Sequence, residues 1–328
     1  MKEIKNTKPK SSLLLLCLGI GFILGILVAR YLLFTPDQAQ KESPYKYINP
    51  ILTSGENKAL PLKTLDILQD ELQGYADEKK SKARISIYFK YLNSGAWFGI
   101  NENYEYAPAS LFKVPIMIVN YKLEELHPGH LAKKAVYRDE GYHGLVQDIP
   151  PSNRLKEGKE YTLDELINQL IKYSDNSVLP YLEEKAQYYE LEDIYLELGL
   201  PNPYVLGDVK DIMTPREYST FFRILYNASY LNNELSEKAL QLLSSTHYDE
   251  GLAAGIPSSV EIANKFGERE KIVDGKTVQQ LHDCGIIYNP KSPYLLCVMT
   301  EGEDMDTLKE IISEISSITY LRLKEHNR

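Results

Sequence analysis

The chain has 328 residues, of which 43% are hydrophobic and 25% charged. This apolar fraction is enough for a sizeable core, and the composition excludes a disordered or collagen-like chain. The net charge of the chain is −9, and because the first 34 residues hold five basic side chains and one acid, the body from residue 35 onward carries about −13. An acidic body is a poor partner for nucleic acid phosphates, so we expect no nucleic acid ligand.

The first predicted element is a membrane anchor. Apolar residues and glycines run unbroken from Leu13 to Ala29, and Tyr31–Phe34 continues the run after Arg30. A helix of this length spans about 30 Å, enough for a bilayer core. The preceding lysines favour a cytoplasmic N-terminus. A cleaved signal peptide and a lipoprotein signal ending at Cys17 are the alternatives, and all three place the body outside the cytoplasm.

We therefore divide the chain into four parts. Residues 1–11 form a basic cytoplasmic tail, 12–34 a transmembrane anchor, 35–60 an extracytoplasmic tether and 61–328 a folded domain. The tether is polar and punctuated by proline. The expected location is the cell membrane, with a single span and the folded domain outside.

The folded domain begins with a helix and a hairpin. Helical spacing of apolar residues extends over Leu62–Tyr75. Strand-like segments follow at Arg84–Tyr91 and Ala96–Ile100, joined by a turn at Asn93–Gly95. The next part, roughly 107–245, is mostly helical.

Three strands and a helix complete the domain. The preceding helical part, roughly 107–245, contains two capping boxes that mark helix starts, Thr162 with Glu165 and Thr214 with Glu217. The later strands are expected at Val260–Ala263, Leu281–Tyr288 and Tyr294–Thr300, and the last helix at Met305–Leu323. This order predicts an α+β fold in which both ends share one antiparallel β-sheet flanked by terminal helices. An all-helical lobe is inserted, one N-terminal transmembrane helix precedes the fold, and the cleft between lobes is a natural ligand site.

Three short motifs carry the chemistry. Ser110 and Lys113 form an S-x-x-K tetrad at the start of a helix, where both side chains share a face and a desolvated lysine can activate the serine. A second tetrad, Ser43–Lys46, lies in the tether. Ser174-Asp175-Asn176 falls between helical segments, and Lys265-Phe266-Gly267 is a K-x-G pattern on a strand.

The motifs in this order resemble those of the class A β-lactamase and penicillin-binding-protein superfamily over roughly residues 60–325. The resemblance implies that Ser110 is the acylated nucleophile and Lys113 its base. It also implies that Ser174 relays a proton to the leaving nitrogen. Asn176, Lys265 and Gly267 would bind substrate, with Lys265 attracting its carboxylate. The oxyanion hole would be the backbone N–H groups of Ser110 and Glu268.

The sequence departs from the family in two places. Phe266 replaces a hydroxyl residue that would bond to a substrate carboxylate. No Glu-x-x-Leu-Asn segment occurs between Asn176 and Pro215, so the omega loop is short and lacks the glutamate that activates the deacylating water. Glu197 is near but is expected to end a helix.

Three functions remain open at this stage. The first is a serine hydrolase of β-lactamase type with slow deacylation. The second is a D,D-peptidase or transpeptidase that acts on D-Ala-D-Ala-type peptides of peptidoglycan. The third is a module that binds or is acylated without turnover. We expect a monomer. We also expect no metal or cofactor, since the sequence contains no C-x-x-C or His/Cys cluster.

Two cysteines are expected to face each other. If Asn289–Pro293 connects a hairpin, Cys284 and Cys297 fall opposite one another on neighbouring strands. They can form a disulfide in an oxidising compartment. We favour two buried thiols that pack as small apolar side chains.

Overall fold

The computed structural model describes residues 21, 24–25, 44–50, 62–139, 149–185, 188–201, 212–273, 275–290 and 292–326. The chain divides into two compact units, Met1–Pro44 and Tyr45–Arg328. Most of the anchor expected over 12–34 lies outside the described residues. In the part of the chain that is described, no helix has both the length and the hydropathy needed to cross a membrane.

The second unit is built on a five-stranded antiparallel sheet. The strands along the chain are β1 (Ala83–Tyr91), β2 (Trp97–Ile100), β3 (Lys134–Val136), β4 (Glu160–Thr162), β5 (Ile262–Val273), β6 (Lys276–Ile287) and β7 (Tyr294–Gly302). The order in the main sheet is β2-β1-β7-β6-β5, while β3 and β4 pair separately. Both ends of the domain therefore share one sheet, as the sequence predicted, and β5 lies at one edge.

The helices cover the sheet and form the inserted lobe. They are α1 (Leu62–Lys79), α2 (Lys113–Leu126), α3 (Leu163–Lys172), α4 (Leu179–Lys185), α5 (Tyr188–Glu197), α6 (Pro215–Tyr226), α7 (Asn233–Leu243) and α8 (Met305–His326). Helices α2 to α7 all lie between β2 and β5 in the chain. Both capping boxes form at the starts of α3 and α6. The α+β architecture with an inserted lobe is confirmed, but the expectation of an all-helical lobe was wrong, because the short β3–β4 pair lies between α2 and α3.

Alternation along the strands divides the core between the two faces of the sheet. On β1, Ile85, Ile87 and Phe89 belong to one buried cluster with apolar residues of α1 and α8, whereas Tyr88 belongs to another cluster with the lobe. Successive side chains of a strand point to opposite faces, so each face carries its own core. The lobe and the terminal helices are thus held on different faces of one sheet.

The β5–β6 hairpin is longer than the sequence indicated. Pairing continues from Ile262 opposite Ile287 to Val273 opposite Lys276. The outer part of β5 runs from Glu268 to Val273, and the consecutive charged residues Glu268–Lys271 hide the apolar alternation that predicts a strand. Pairing with β6 rather than burial maintains this extension.

Cys284 and Cys297 form a disulfide across β6 and β7. The two residues are direct partners in the register, which confirms that they face each other. The expectation of two free thiols was wrong. Directly opposed positions bring the two sulfur atoms within bonding reach. The sequence predicted that the two residues face each other, but it did not show whether the thiols would join.

Alkylation provides a test of this disulfide. Treatment of the denatured but unreduced Tyr45–Arg328 body should label neither cysteine, and prior reduction should allow both to be labelled. Intact mass distinguishes the two states. Labelling of both cysteines without reduction would show that the strands carry free thiols.

Candidate active site

The predicted nucleophile lies in a short turn that leads into the lobe. Ser110 belongs to a 3-10 helix, Ala109–Phe112, which continues directly into α2 at Lys113. Ala109 has a φ of +47°, a left-handed conformation that is uncommon for a residue with a side chain. The strained turn leaves Ser110 half-buried and Lys113 fully buried.

Two side chains of β6 hold the segment before the nucleophile. The Ala107 amide donates to Oε1 of Gln280 at 3.2 Å, and the Ala107 carbonyl oxygen lies 3.1 Å from Nε2 of His282. Because a carbonyl oxygen can only accept, this contact assigns the proton of the His282 ring to Nε2. Sequence reasoning missed both side chains, since their contacts depend on how the sheet meets the Ser110 turn.

Gly267 brings the edge strand against the same turn. A Cβ atom here would lie 3.0 Å from the Leu111 amide nitrogen and 3.1 Å from the Pro108 carbonyl oxygen. Such separations are shorter than side chains normally tolerate, so the close approach requires glycine. The backbone N–H groups of Ser110 and Glu268, the predicted oxyanion donors, belong to these two adjoining segments.

Lys113 and Ser174 are in direct contact. Nζ of Lys113 donates to the Ser174 carbonyl oxygen at 2.6 Å and to Ser174 Oγ at 2.9 Å. Ser174 has a φ of +56° and is buried. In this left-handed conformation both oxygen atoms of Ser174 face the lysine, which ties the second motif to the first.

Lys265 contacts the same hydroxyl group from the sheet. Its Nζ donates to Ser174 Oγ at 3.0 Å and to the Phe266 carbonyl oxygen at 2.9 Å. Ser174 Oγ therefore accepts hydrogen bonds from two amino groups, and its hydroxyl group can donate one hydrogen bond of its own. The structure thus brings Lys113, Ser174 and Lys265 together.

The rest of the second motif is held by a carboxylate. Oδ1 of Asp175 accepts from the amide and hydroxyl of Ser177 at 3.0 and 2.7 Å, and Oδ2 accepts from Nε2 of Gln169 at 2.8 Å. Asp175 thereby caps the 3-10 helix Asn176–Val178. Asn176 is only 6% exposed, and its place beside Ser174 is set by this cap.

Burial lowers the pKa of both lysines. The pKa of Lys113 lies well below its ordinary value because of burial and then because of Lys265, although Asp175 and Glu268 oppose the shift. Burial likewise lowers the pKa of Lys265 to about 7, against the influence of Asp283 and Glu268. A neutral amine keeps two N–H donors and has a lone pair. Lys113 can therefore donate two hydrogen bonds and still act as a base.

The buried lysine of the third motif should affect how stability depends on pH. Burial lowers the pKa of Lys265 to about 7 in the folded state, whereas the unfolded amine titrates near about 10.4. Between these values the unfolded state binds more protons. The free energy of unfolding therefore rises with pH, by up to about 1.4 kcal/mol per pH unit for this group. Lys265→Met should reduce this slope in urea denaturation between about pH 7.5 and 9.

Lys80→Met is the matched control, because Lys80 is exposed. This variant should keep the slope of the unmodified protein. An equal slope in the Lys265→Met variant would show that the Lys265 pKa is not lowered by folding.

Two further sequence expectations concern the shortened omega loop and Glu197. Residues 202–211, which contain most of the shortened omega loop, lie outside the described residues. Glu197 is the exposed last residue of α5, as expected. Within the described ranges, no group of three or more His, Cys, Asp or Glu side chains could hold a metal ion.

Comparison with solved structures finds proteins of the same fold. The chain is similar to "Structure of PBP-A", with 21% identity, coverage of 80% of this chain and 97% of that chain, and a TM-score of 0.66. A substituted form of PBP-A, solved as an acyl-enzyme complex with penicillin G, gives the same values. A class A β-lactamase from Mycobacterium abscessus shares 22% identity over 79% of this chain and 99% of that chain, with a TM-score of 0.65. Identities of this size show a common fold.

The family itself is established by a direct match. No curated protein matches the chain. A family model described as the β-lactamase enzyme family matches residues 67–323, which is well over half of the chain and includes all three motifs. The chain belongs to the β-lactamase enzyme family.

Proposed function

We propose that this protein is an active-site serine hydrolase that opens the β-lactam amide through an acyl-enzyme on Ser110. The observation that carries the proposal is the convergence of Lys113 and Lys265 on the Ser174 hydroxyl group, next to the Ser110 turn. We infer from this arrangement that Ser110 acts as the nucleophile, Lys113 as a base with a lowered pKa and Ser174 as the proton carrier.

In the proposed reaction, Ser110 Oγ attacks the lactam carbonyl carbon while Lys113 Nζ takes the Ser110 proton. The backbone N–H groups of Ser110 and Glu268 stabilise the developing oxyanion. Ser174 gives its proton to the leaving nitrogen as the C–N bond breaks. Lys113 then restores that proton along the 2.9 Å hydrogen bond to Ser174 Oγ. Asn176 holds the substrate amide, and Gly267 leaves space beside it.

Intact mass after incubation with penicillin tests the proposal. The protein should gain the mass of one penicillin, and peptide mapping should place the adduct on Ser110. Ser110→Ala should abolish the adduct, whereas Ser94→Ala, in the exposed turn between β1 and β2, should keep it. An adduct that survives Ser110→Ala would refute the assignment.

A D,D-peptidase or transpeptidase is the second candidate, and it is favoured by the absence of Glu-x-x-Leu-Asn between Asn176 and Pro215. Release of D-Ala from a peptide together with a stable penicillin adduct would support it. A module without turnover would form no Ser110 adduct or would never release one. Sustained nitrocefin hydrolysis favours the β-lactamase function.

The location of the protein is also a proposal. We place it in the cell membrane as a monomer, with residues 12–34 as a single-span anchor and the family domain outside. The support is the apolar run Leu13–Ala29 and the lysines that precede it. Protease added to spheroplasts should digest the domain, and protection until lysis would contradict this topology.

A further inference from the structure

Residues 46–49, which we call the clasp, lie in the segment expected to be a tether and bind to the folded domain. The backbone N–H of Lys46 donates to Oε1 of Glu237 at 2.6 Å, and those of Tyr47 and Ile48 donate to its Oε2 at 2.8 and 3.0 Å. Hydrogen bonds to an ionised carboxylate are stronger than those between neutral groups. The side chains of Tyr47 and Ile48 are also buried. One carboxylate therefore holds three successive amides of the clasp.

The clasp joins the lobe to the sheet. The carboxylate that holds it belongs to α7, and the Asn49 amide donates to the Tyr226 carbonyl oxygen, at the end of α6, at 2.7 Å. On the other side, the hydroxyl group of Tyr288, directly after β6, donates to the Tyr47 carbonyl oxygen at 3.1 Å. The Tyr47 and Tyr288 rings meet edge to face with centroids 5.3 Å apart. Loss of the clasp would thus remove contacts from both parts of the domain.

The clasp is an addition of this chain to the region that the family model matches. That match begins at residue 67, after the clasp. Lys46, the lysine of the second S-x-x-K tetrad, forms an exposed ion pair with Glu261, the residue before β5. Exposed pairs contribute little on their own. The second tetrad therefore belongs to the clasp rather than to a second reactive serine.

Helix α7 leads from the clasp to the neighbours of two site residues. Thr246 and His247 follow the helix, which ends at Leu243. Oγ1 of Thr246 donates to the side-chain oxygen of the residue before Lys265 at 3.1 Å. The His247 amide donates at 2.9 Å to the carbonyl oxygen of the last residue of α3, two positions before Ser174. A shift of α7 would therefore act on both groups that meet at the Ser174 hydroxyl.

We propose that Glu237 is a positioning residue for acylation, which holds the clasp and thereby fixes α7 so that the Ser174 hydroxyl group reaches the leaving nitrogen. This inference rests on the proposed acyl-enzyme function. Ser174 is the sensitive group, because it gives its proton to the nitrogen while the C–N bond breaks. Misplacement of a reacting group by about 1 Å can cost about 10²-fold in rate.

A double-mutant cycle on the full-length chain in detergent tests the inference, with penicillin acylation of Ser110 followed by intact mass. Glu237→Ala should slow acylation by about 10-fold, as a displacement of less than 1 Å would. Ser174→Ala removes the proton donor itself. In that background, Glu237→Ala should cost less than about 2-fold, because effects that act through one group do not multiply. An equal loss in both backgrounds would overturn the inference.

A thioester of benzoyl-D-alanine and thioglycolic acid gives a second measurement. Ser110 attacks the thioester carbonyl carbon, the C–S bond breaks, and the thiolate leaves without a proton from Ser174. Glu237→Ala should therefore slow this acylation less than that by penicillin. Equal slowing would assign the effect to general disturbance of the fold and overturn the inference. This comparison decides the question where Ser174→Ala is too slow to measure.

Trypsin reports the state of the clasp itself. Cleavage after Lys46 should be slow in the unmodified protein and faster in Glu237→Ala, because the bonded amides must be released before a protease can bind them. Mass spectrometry identifies the cleaved bond. Equal cleavage in the two proteins would show that Glu237 does not hold the clasp. Faster cleavage with unchanged penicillin acylation would show that the clasp does not position the site.

Two further variants control the experiment. Glu234→Ala, at an exposed position of α7, should change neither cleavage nor acylation. Glu237→Gln keeps one carbonyl oxygen as acceptor and should give a smaller loss of the same kind, so it tests the inference if Glu237→Ala does not fold. Absence of a Ser110 adduct in the unmodified protein would refute the proposed function. An adduct that forms equally fast in both Glu237 variants would refute only the role of Glu237.

Discussion

A burst of lactam opening that is stoichiometric with the enzyme, followed by slow turnover, is the expected course of the reaction with penicillin. In the proposed reaction, Ser110, Lys113 and Ser174 supply what acylation needs. The glutamate that activates the deacylating water in class A enzymes has no counterpart between Asn176 and Pro215. A positioned base contributes about 10²–10⁴-fold, so its loss raises the deacylation barrier by roughly 3–5 kcal/mol. Stopped-flow absorbance and intact mass would follow the burst and the decay of the adduct.

Restoring the glutamate base should accelerate deacylation and leave acylation unchanged. A loop carrying Glu-x-x-Leu-Asn, inserted between Leu206 and Asp211, should speed decay of the adduct. The same loop with Gln-x-x-Leu-Asn is the control and should not.

Hydrolysis without a burst, at ordinary β-lactamase rates, would contradict the expected difference between fast acylation and slow deacylation. Glu268 would then be the first base to examine. Its half-buried carboxylate interacts with Lys113 and Lys265, and its Oε1 accepts from the Ile149 amide at 2.6 Å. Loss of turnover in Glu268→Gln would identify it.

Replacement of Lys113 should have the other large effect. Lys113→Met removes the proposed base and both hydrogen bonds to Ser174. Acylation should fall by about 10²–10⁴-fold, the usual contribution of a positioned base. Lys122→Met on the same helix is the matched control, because Lys122 bonds to Glu125 and to the Tyr230 carbonyl oxygen instead. Its acylation rate should change little.

The pH profile separates a chemical role from a structural one. A base acts when it is neutral, and burial holds the pKa of Lys113 well below its ordinary value. Acylation by the unmodified protein should therefore rise as pH increases through this lowered pKa and then level off. The Lys113→Met variant should lack that rise. A rise that persists in the variant would assign the titration to another group.

Local pattern was enough to place the motifs on their elements. Apolar spacing predicted α1 from Leu62, and the capping boxes placed the starts of α3 and α6 correctly. These signals involve residues three or four positions apart, so they can be recognised without knowledge of the fold. The same short range explains the end of β5, where charged residues outside the core gave no strand signal although pairing with β6 continues to Val273.

The disulfide shows the limit of such local reasoning. The length of the Asn289–Pro293 connection was enough to place Cys284 opposite Cys297. Whether two opposed thiols stay free or join depends on the approach of β6 and β7 at that pair. Packing of the sheet between two cores decides that approach, and no pattern within either strand records it.

The sequence by itself determined the family, since the matched region contains all three ordered motifs, and the resemblance predicted a nucleophile and its proton carriers at Ser110, Lys113 and Ser174. Only the tertiary structure decided that Lys113 and Lys265 meet on one oxygen atom of Ser174, across separations of 61 and 91 residues. It also decided that the Phe266 ring lies against Lys265 and stacks on Tyr248. Motifs specify residue types through short-range spacing. The contacts among them, and the burial that lowers the pKa of each lysine, arise when an edge strand and a helical lobe pack together.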